Sequence, residues 1–448
     1  MATLWAASLC VSMSTASTTC ATDWWTTAYY PAYRQAQMTP SEIDFSVVTH
    51  VIHFSVAPKP DGTLDTDANG LSPAYATDLV AHAHAAHRQA LLCVGGANSQ
   101  AGFQGATSAT NLPGFVTRLV SFMTVNGYDG LDLDWEPLTT ADGPRFTSLV
   151  NALRPALDQA IPRPLLTAAT ATEPALFGSL QDQFDQINVM TYDLAGPYPG
   201  WITWFNAPIF DGGTRFPSTG ALLPSADGLL ASFLAKGVPS EKLALGIAFY
   251  GQLWTHGTGT STGGTLRPRQ SWTTAPTVTP VAYRQIQSDY FQSAAYHYDE
   301  AAQSAYLSLP GATDLQDVFL AYDDERTCGA KVSYARNHHL GGVMIWELSH
   351  AYRANPPSGP KDPLLAAVQQ ALATPGATTV QLRNGGVEFS FAVAPLGTYQ
   401  VQWSDDLTTN AWTPLTTYSA TTNGIVRFTD VTVGTVTAPR YYRIQTPP

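Results

Sequence analysis

Charged residues are scarce in this chain, and basic residues are the scarcest of them. Lysine, arginine, aspartate and glutamate make up 12% of the 448 residues, and 22 basic residues face 34 acidic ones, which gives a formal net charge of −12. A protein that binds nucleic acid needs basic side chains to neutralise phosphates, and an anionic membrane surface attracts cations in the same way. The composition therefore argues against both partners and leaves a neutral ligand, such as a sugar, open.

Cysteine is also rare. The chain has four, at Cys10, Cys20, Cys93 and Cys328, and no two of them form a CxxC pair. A zinc site is therefore not predicted, and we expect no metal and no other cofactor. The sequence alone does not pair these cysteines into disulfides.

Long apolar runs are missing as well. The apolar stretch at residues 1–13 is too short for a transmembrane helix, and no later run reaches the required length. Small polar residues follow it, as in a secretory signal, but the first basic residue is Arg34, so the usual positively charged start is lacking. We predict a signal segment at residues 1–21 and a secreted or extracytoplasmic monomer that does not bind membranes.

The chain does contain a regular alternation of apolar runs and longer amphipathic segments over residues 22–373. WWTTAYY and VVTHVIHFSV are typical of strands, a helix is predicted at 74–90, and GGVMIWEL is the last predicted strand. Strands that alternate with helices indicate a parallel sheet. Eight strand–helix units fit a closed (β/α)8 TIM barrel, whose active site lies at the carboxyl ends of the strands.

Two regions depart from this alternation. Residues 253–322 are rich in glycine, threonine and aromatic residues, and we interpret them as an insertion between strands seven and eight. After a predicted linker at 374–379, the apolar period changes to two over residues 380–448, which predicts a small antiparallel module resembling a β-sandwich. In this module, Trp403 and Trp412 either stack on polysaccharide or belong to the core.

The run YDGLDLDWEP, residues 128–137, is the strongest candidate for a catalytic site in the sequence. On a strand, Asp132, Asp134 and Glu136 share one face, and the apolar residues between them share the other. Buried like charges raise one another's pKa values, so at least one of these carboxyl groups should stay protonated near neutral pH. A protonated acid at the rim suits general acid–base catalysis, while a solvated acidic turn or a cation site remains the alternative interpretation.

This run also carries a family resemblance. DGLDLDWE resembles the DGxDxDWE signature of family 18 glycoside hydrolases, the chitinase family, at every fixed position. VGG, MTYDL, KLALGIAFYG and GGVMIWEL resemble further strands of the family, so the resemblance covers roughly residues 22–373. It implies a TIM barrel with a small α+β insertion and a partner that is chitin or another N-acetylglucosamine-containing glycan.

The resemblance implies a retaining mechanism in which the substrate's own acetamido group is the nucleophile. Glu136 would be the general acid, Asp134 would orient the acetamido group, and Asp132 would tune Asp134. Tyr192 would bind the acetamido carbonyl, and Trp346 would form the floor under the sugar. The other candidate substrate-binding residues are Met190, Asp193, Tyr250, Tyr30 and Phe54. Tyr29, like Tyr30 and Phe54, falls at the end of an early strand, where aromatic residues often line the cleft of this family.

Three positions depart from the family pattern. Cys93 stands where serine is usual, which removes a hydroxyl partner of the inner aspartate, and Ala97 and Gln252 stand where tryptophan and arginine are frequent. We therefore expect weaker substrate binding. Two other functions are considered: an endo-β-N-acetylglucosaminidase that acts on glycoprotein or cell-wall glycan, and a non-catalytic chitin-binding lectin. The presence of Glu136 argues against the lectin, because such proteins typically lack this acid.

Overall fold

The computed structural model describes most of the chain, in the ranges 24–373, 379–383, 386–393, 398–405, 411–419, 424–430 and 440–445. The predicted signal segment lies outside these ranges, and so does the predicted linker except for Thr379. Cys10 and Cys20 also lie outside, whereas Cys93 and Cys328 are buried free thiols. No helix within the described ranges has the length and hydropathy needed to cross a lipid bilayer.

Eight parallel strands close into a barrel, as the alternation predicted. In chain order, the barrel strands β1 to β8 are Trp25–Pro31, His50–Pro58, Gln89–Gly96, Gly130–Trp135, Leu165–Thr170, Gln186–Val189, Leu243–Ala248 and Gly342–Trp346. Each strand pairs in parallel with the next, and β8 pairs with β1 through Ala28 and Ile345. This last pairing closes the sheet, so the predicted TIM barrel is confirmed.

Helices follow the barrel strands and cover the apolar outer face of the sheet. They comprise Pro73–Ala85, Gln100–Ala106, Leu112–Val125, Gly143–Leu157, Pro174–Leu180, Ala226–Leu234, Glu325–Asn337 and Pro363–Ala373. Side-chain caps mark several starts: Ser72 accepts a hydrogen bond from the backbone of Tyr75, and Asp324 accepts one from Thr327. Such caps satisfy backbone N–H groups that have no partner inside the helix.

The helix predicted at 74–90 is shorter than expected, because it ends at Ala85. The N–H of Arg88 donates to the carbonyl of Ala83, and His87 takes a left-handed conformation with φ 56°. A helix that ends in this way usually has glycine at the left-handed position. Because this chain has His87 there, the sequence did not indicate that the helix ends early. Gln89 already belongs to β3.

The insertion between β7 and β8 is built on a five-stranded antiparallel sheet. Its strands, in spatial order, are Thr277–Ala282, Tyr250–Thr255, Val318–Tyr322, Ser304–Leu309 and Tyr296–Asp299. A short helical segment at residues 283–290 completes the α+β character. The buried rings of Trp254 and Phe319 pack together, and Phe319 also contacts Phe205 from the loop after β6, which attaches the sheet to the barrel.

The carboxyl-terminal part forms two three-stranded antiparallel sheets, as the period-two pattern predicted. One contains Thr379–Arg383, Gly386–Val393 and Gly424–Asp430, and the other contains Thr398–Ser404, Thr413–Ser419 and Tyr441–Gln445. Phe391, Tyr399 and Val401 form a small buried core. The rings of Phe391 and Tyr399 lie 6.1 Å apart and join the two sheets.

Candidate active site

Strand β4 carries the acidic motif into the barrel. Asp132 and Asp134 face inward and are buried, whereas Leu133 and Trp135 belong to the outer core. Trp135 stacks on Phe103 with ring centres 4.5 Å apart. Because side chains alternate along a strand, this apolar packing forces the carboxylates to the inside.

The neighbouring strand β3 approaches β4 very closely at its glycines. Gly95 is in register with Asp134, and a Cβ atom at Gly95 would lie 2.1 Å from the carbonyl oxygen of Asp134. A Cβ at Gly96 would lie 2.4 Å from the ring of Phe54. Both glycines also have φ above +100°, which other residues rarely adopt. The VGG motif is thus a packing requirement of the site.

Asp132 is the innermost carboxylate and is fully buried. Its oxygens accept hydrogen bonds from the hydroxyls of Tyr29 at 2.7 Å and Thr167 at 2.6 Å. Burial raises the pKa of Asp132 to about 6, against the lowering effect of these donors. The charge of Asp132 therefore changes just below neutral pH.

Cys93 partly takes over the role of the serine that the family usually has at this position, which is to donate a hydrogen bond to the inner aspartate. It lies in register with Asp132 on β3, and its buried thiol is one of the groups that favour the ionised form of Asp132. Burial, together with the charges of Asp132 and Asp134, raises the pKa of the thiol well above its usual value, so it remains a donor. A thiol is a weak hydrogen-bond donor, so this support is weaker than a hydroxyl would give.

Asp134 and Glu136 form a coupled acidic pair at the open end of the barrel. Burial raises the pKa of Asp134 well above its usual value, and the charges of Glu136 and Asp132 raise it further. Burial also raises the pKa of the half-buried Glu136, against the effect of its hydrogen bond with Asp134. Burial and mutual repulsion therefore favour one proton shared by the pair over two ionised carboxylates.

Ser99 fixes the backbone at the end of β4, which sequence reasoning missed. Its hydroxyl accepts a hydrogen bond from the N–H of Glu136 at 3.0 Å and donates to the carbonyl of Asp134 at 3.2 Å. The N–H of Gln100 donates to the carbonyl of Glu136 at 3.0 Å. Glu136 is thereby held in place although sheet pairing has ended at Trp135.

The MTYDL run lies at the end of β6 and supplies groups beside the acidic pair. Tyr192 is buried, and its hydroxyl donates to the sulfur of Met344 at 3.6 Å. Burial raises the pKa of Tyr192 well above its usual value, and the charges of Asp134 and Glu136 raise it further. Met190 packs against the apolar side chains inside the barrel, which include Tyr192.

Asp193 also acts on Glu136, since its charge raises the pKa of that carboxyl group. The Nε2 of Gln252 donates to Asp193 at 2.8 Å, and the Asn206 amide oxygen accepts from the Asp193 N–H at 3.1 Å. Tyr250 lies against this group, with its ring 6.0 Å from that of Tyr192. Gln252 thus holds Asp193 with a neutral amide in the place where the family often has a cation.

Aromatic rings form one wall of the site. Trp346 at the end of β8 lies 4.9 Å from Phe54 and 5.4 Å from Tyr29, measured between ring centres. Tyr30 does not join them: it points to the outer core, and its hydroxyl donates to the carbonyl of Met38. The prediction that Tyr30 lines the cleft is therefore wrong, whereas Tyr29, which was also a candidate, is turned inward by the alternation along β1.

Among the described residues, no group of three histidine, cysteine or acidic side chains is arranged to hold a metal ion.

Residues 26–351 match the sequence profile described as Glycosyl hydrolases family 18. The chain belongs to glycosyl hydrolase family 18. The match covers all eight barrel strands apart from Trp25, the first residue of β1. It also covers the insertion between β7 and β8.

Curated relatives of this family 18 protein include chitinases from distant organisms. The mouse protein Chitotriosidase-1 is 28% identical over 330 residues, which are 69% of this chain and 68% of the mouse protein. Chitinase 1 of Aphanocladium album is 26% identical and covers 76% of this chain and 82% of its own length. The matched part of this chain spans 41% of the length of the probable endochitinase of Caenorhabditis elegans.

Solved structures show the same fold. The Ostrinia furnacalis Group IV chitinase in complex with allosamidin has a TM-score of 0.65 at 21% identity, over 78% of this chain and 99% of that one. The Cycas revoluta family 18 chitinase in complex with (GlcNAc)3 has a TM-score of 0.63 at 23% identity, with the same coverage. Together with the family profile, these relatives identify the protein as a chitinase-like glycoside hydrolase.

Proposed function

We propose that this family 18 enzyme cleaves β-1,4 bonds of chitin or N-acetylglucosamine oligomers with retention of configuration, by substrate-assisted catalysis. The observation that carries the proposal is the coupled pair of Asp134 and Glu136 at the open end of the barrel, with Tyr192 beside it. The names of the curated relatives support the substrate. We further propose that the enzyme is a secreted or extracytoplasmic monomer.

In the first step, Glu136 donates its proton to the glycosidic oxygen as the bond to the anomeric carbon breaks. The acetamido oxygen of the same sugar forms a new bond to that carbon, giving a cyclic oxazolinium ion. Asp134 accepts a hydrogen bond from the acetamido N–H and offsets the positive charge that develops there. In the second step, Glu136 takes a proton from water, which attacks the anomeric carbon from the side that the leaving group left. The bond between that carbon and the acetamido oxygen breaks, and the acetamido group is restored.

The remaining site residues hold this geometry. Asp132 lies behind Asp134 and can take up a proton when the charge of Asp134 changes, because burial has raised the pKa of Asp132 to about 6. Tyr192 donates to the acetamido carbonyl oxygen, and Trp346 forms the apolar floor under the sugar. The candidates Met190, Asp193, Tyr250 and Phe54 line the same pocket, and Tyr29 joins them in place of Tyr30.

A substrate panel tests this function against its alternatives. Purified protein is assayed on N-acetylglucosamine oligomers, on peptidoglycan and on a high-mannose glycoprotein. We expect cleavage of the oligomers, because the insertion, whose Gln252 contacts Asp193, would add a wall to the cleft. Cleavage of the glycoprotein or of peptidoglycan alone would favour the endo-β-N-acetylglucosaminidase, and binding without any cleavage would favour the lectin.

Replacing Asp193 with asparagine is expected to move the alkaline limb of the pH profile of kcat to lower pH. The charge of Asp193 raises the pKa of Glu136, and the neutral amide removes that effect. Because Glu136 must be protonated to act as an acid, activity should then be lost at a lower pH. The exposed Asp182→Asn serves as the control, and a limb that stays in place or moves to higher pH would contradict the assignment.

Removing the chain beyond residue 375 is expected to leave a folded barrel that hydrolyses short soluble oligomers. We propose residues 22–373 and 380–448 as separate domains, since each has a core of its own. The guanidinium groups of Arg440 and Arg443 lie 4.1 and 4.4 Å from the ring centres of Trp403 and Trp412.

Because these arginines already cover the tryptophan rings, we favour a spacer role for the module over polysaccharide binding. Activity on insoluble chitin should then be unchanged by the truncation. A selective loss on insoluble chitin would indicate a binding module, and an insoluble truncated protein would show that the boundary is misplaced.

A further inference from the structure

Asp142 is a buried carboxylate on the loop that follows β4, and the mechanism above does not use it. Its Oδ2 accepts hydrogen bonds from the backbone N–H and the hydroxyl of Thr139 at 3.1 and 2.6 Å. The same oxygen accepts one from the Nε2 of Gln100 at 2.9 Å, and Oδ1 accepts one from the Nε2 of Gln104 at 2.7 Å. Four neutral donors thus meet at one carboxylate.

These donors come from two separate parts of the chain. Thr139 belongs to the loop that continues from Glu136, whereas Gln100 and Gln104 lie on the helix Gln100–Ala106. Residues four apart on a helix point to the same side, so both amides reach the same carboxylate. The side chain of Asp142 therefore joins the loop to the helix.

The carboxyl group of Asp142 is charged at neutral pH. Burial raises its pKa, but the hydrogen bonds from Thr139, Gln104 and Gln100 outweigh burial and bring the pKa below its usual value. Hydrogen bonds to an ionised acceptor are shorter and stronger than those between neutral groups. The contact between loop and helix is therefore a strong one.

The helix Gln100–Ala106 packs closely against the barrel. A Cβ atom at Gly102 would lie 1.9 Å from the carbonyl oxygen of Pro58, so the helix backbone touches the end of β2. The ring of Phe103 stacks on that of Trp135 from β4, with ring centres 4.5 Å apart. Contacts on both sides thus fix this helix relative to the two strands.

The start of the same helix binds the backbone of Glu136. Sheet pairing of β4 ends at Trp135, and the Ser99 hydroxyl and the Gln100 N–H then hold the N–H and the carbonyl of Glu136, each at 3.0 Å. The chain is therefore attached to the helix twice, through backbone groups at Glu136 and through side chains at Asp142. The second attachment limits how far the loop can draw Glu136 away from the helix.

We propose that Asp142 is a positioning residue, which holds the loop after β4 on the helix Gln100–Ala106 and thereby keeps Glu136 in the geometry that acid catalysis needs. This inference rests on the proposed function, because it takes Glu136 as the acid. Catalytic groups must be held within about 0.5 Å of their productive positions. A loosened loop should therefore lower turnover more than it lowers substrate binding.

The substitution Asp142→Ala removes all four hydrogen bonds at once. In full-length protein, we expect kcat on the N-acetylglucosamine tetramer to fall by about 10–10²-fold, because a displacement of about 1 Å can cost a catalytic step about 10²-fold. KM should stay close to the wild-type value, because the proposed sugar-binding residues Trp346 and Tyr192 lie on β8 and after β6. Steady-state kinetics well below the unfolding temperature measure both constants.

The conservative variant is Asp142→Asn, which keeps the contact without the charge. The oxygen of the new amide accepts from Thr139 and Gln100, and its NH2 group donates to Gln104 once the amide of Gln104 turns over. We therefore expect Asp142→Asn to restore most of the kcat that Asp142→Ala loses. An equal loss in both variants would show that the charge matters rather than the contact, and would overturn the proposal.

A matched control separates positioning from a general loss of stability. Asp324 is also buried, and it accepts hydrogen bonds from the N–H and hydroxyl of Thr327, both at 2.8 Å, and from the hydroxyl of Tyr296 at 2.7 Å. Asp324→Ala should lower the unfolding temperature, as Asp142→Ala does, but should leave kcat unchanged. A comparable loss of kcat in both alanine variants would overturn the proposal.

Hydrogen exchange follows the loop without any need for activity. The N–H of Glu136 should exchange faster in Asp142→Ala than in the wild type or in Asp142→Asn, because its bond to Ser99 opens more often. Unchanged kcat in Asp142→Ala, with Glu136→Gln inactive, would overturn the proposal and leave Glu136 as the acid. If Glu136→Gln instead turned over at a near-normal rate, the proposed function would fail, and with it the role of Asp142 in acid catalysis.

Discussion

Replacing Glu136 with glutamine is expected to lower kcat on N-acetylglucosamine oligomers by about 10²–10⁴-fold. Glutamine has the same shape but no acidic proton, and in the proposed mechanism Glu136 is both the acid of the first step and the base of the second. The dissociation constant for the oligomers should change little, because Trp346 and Tyr192, the proposed sugar-binding residues, remain. Steady-state kinetics and calorimetry measure the two quantities separately.

The structure predicts that this variant folds normally. The backbone N–H and carbonyl of residue 136 are held by Ser99 and Gln100 regardless of the side chain. The matched control is Glu300→Gln, an exposed glutamate that pairs with Arg326 at 2.7 Å, and it should retain full activity. Near-normal turnover by Glu136→Gln would show that Glu136 is not the general acid.

Oligomers that lack the acetyl group on the sugar at the cleavage site are expected to resist hydrolysis. The amine that remains has no carbonyl oxygen to attack the anomeric carbon, and Tyr192 and Asp134 lose the group that we propose they orient. Intramolecular nucleophiles reach effective molarities of about 10⁵–10⁸ M, so a rate loss of about 10⁵-fold or more should follow. Mass spectrometry of timed digests of acetylated and fully deacetylated tetramers measures it.

Partly acetylated oligomers provide the internal control for this prediction. They bind through the same cleft, so only the position of the acetyl group differs between cleaved and uncleaved bonds. Every product should carry an acetylated sugar at its new reducing end. Frequent products that end in glucosamine would contradict substrate assistance even if the overall rates were low.

Much of the site could be predicted because its residues sit in continuous motifs. Asp132, Asp134 and Glu136 alternate along one strand, and the structure places all three at the centre or rim of the barrel. Tyr192 and Asp193 follow β6 within one short run and lie beside the same pair. Strand period and strand–helix alternation were enough to predict the closed barrel and the antiparallel sheets that follow it.

The partners of these residues could not be predicted, because they come from other strands. Thr167 reaches Asp132 from β5, and Gln252 reaches Asp193 from the inserted sheet. These contacts depend on the register between strands, which a single sequence does not encode locally. The choice between Tyr29 and Tyr30 also needed the structure, because the sequence of β1 does not show which of its faces points inward. The hydrogen bond from Thr27 to Gln186 inside the barrel shows that Tyr29, two residues later, lies on the inner face.

The anomeric configuration of the first product tests the central claim most directly. Proton NMR is recorded within minutes of adding wild-type enzyme to an N-acetylglucosamine tetramer, before mutarotation equilibrates the two forms. Double displacement through the substrate's acetamido group predicts that the new reducing end appears first as the β-anomer. Initial formation of the α-anomer would contradict the account, because it would require direct attack by water, with a second carboxylate such as Asp193 as the base.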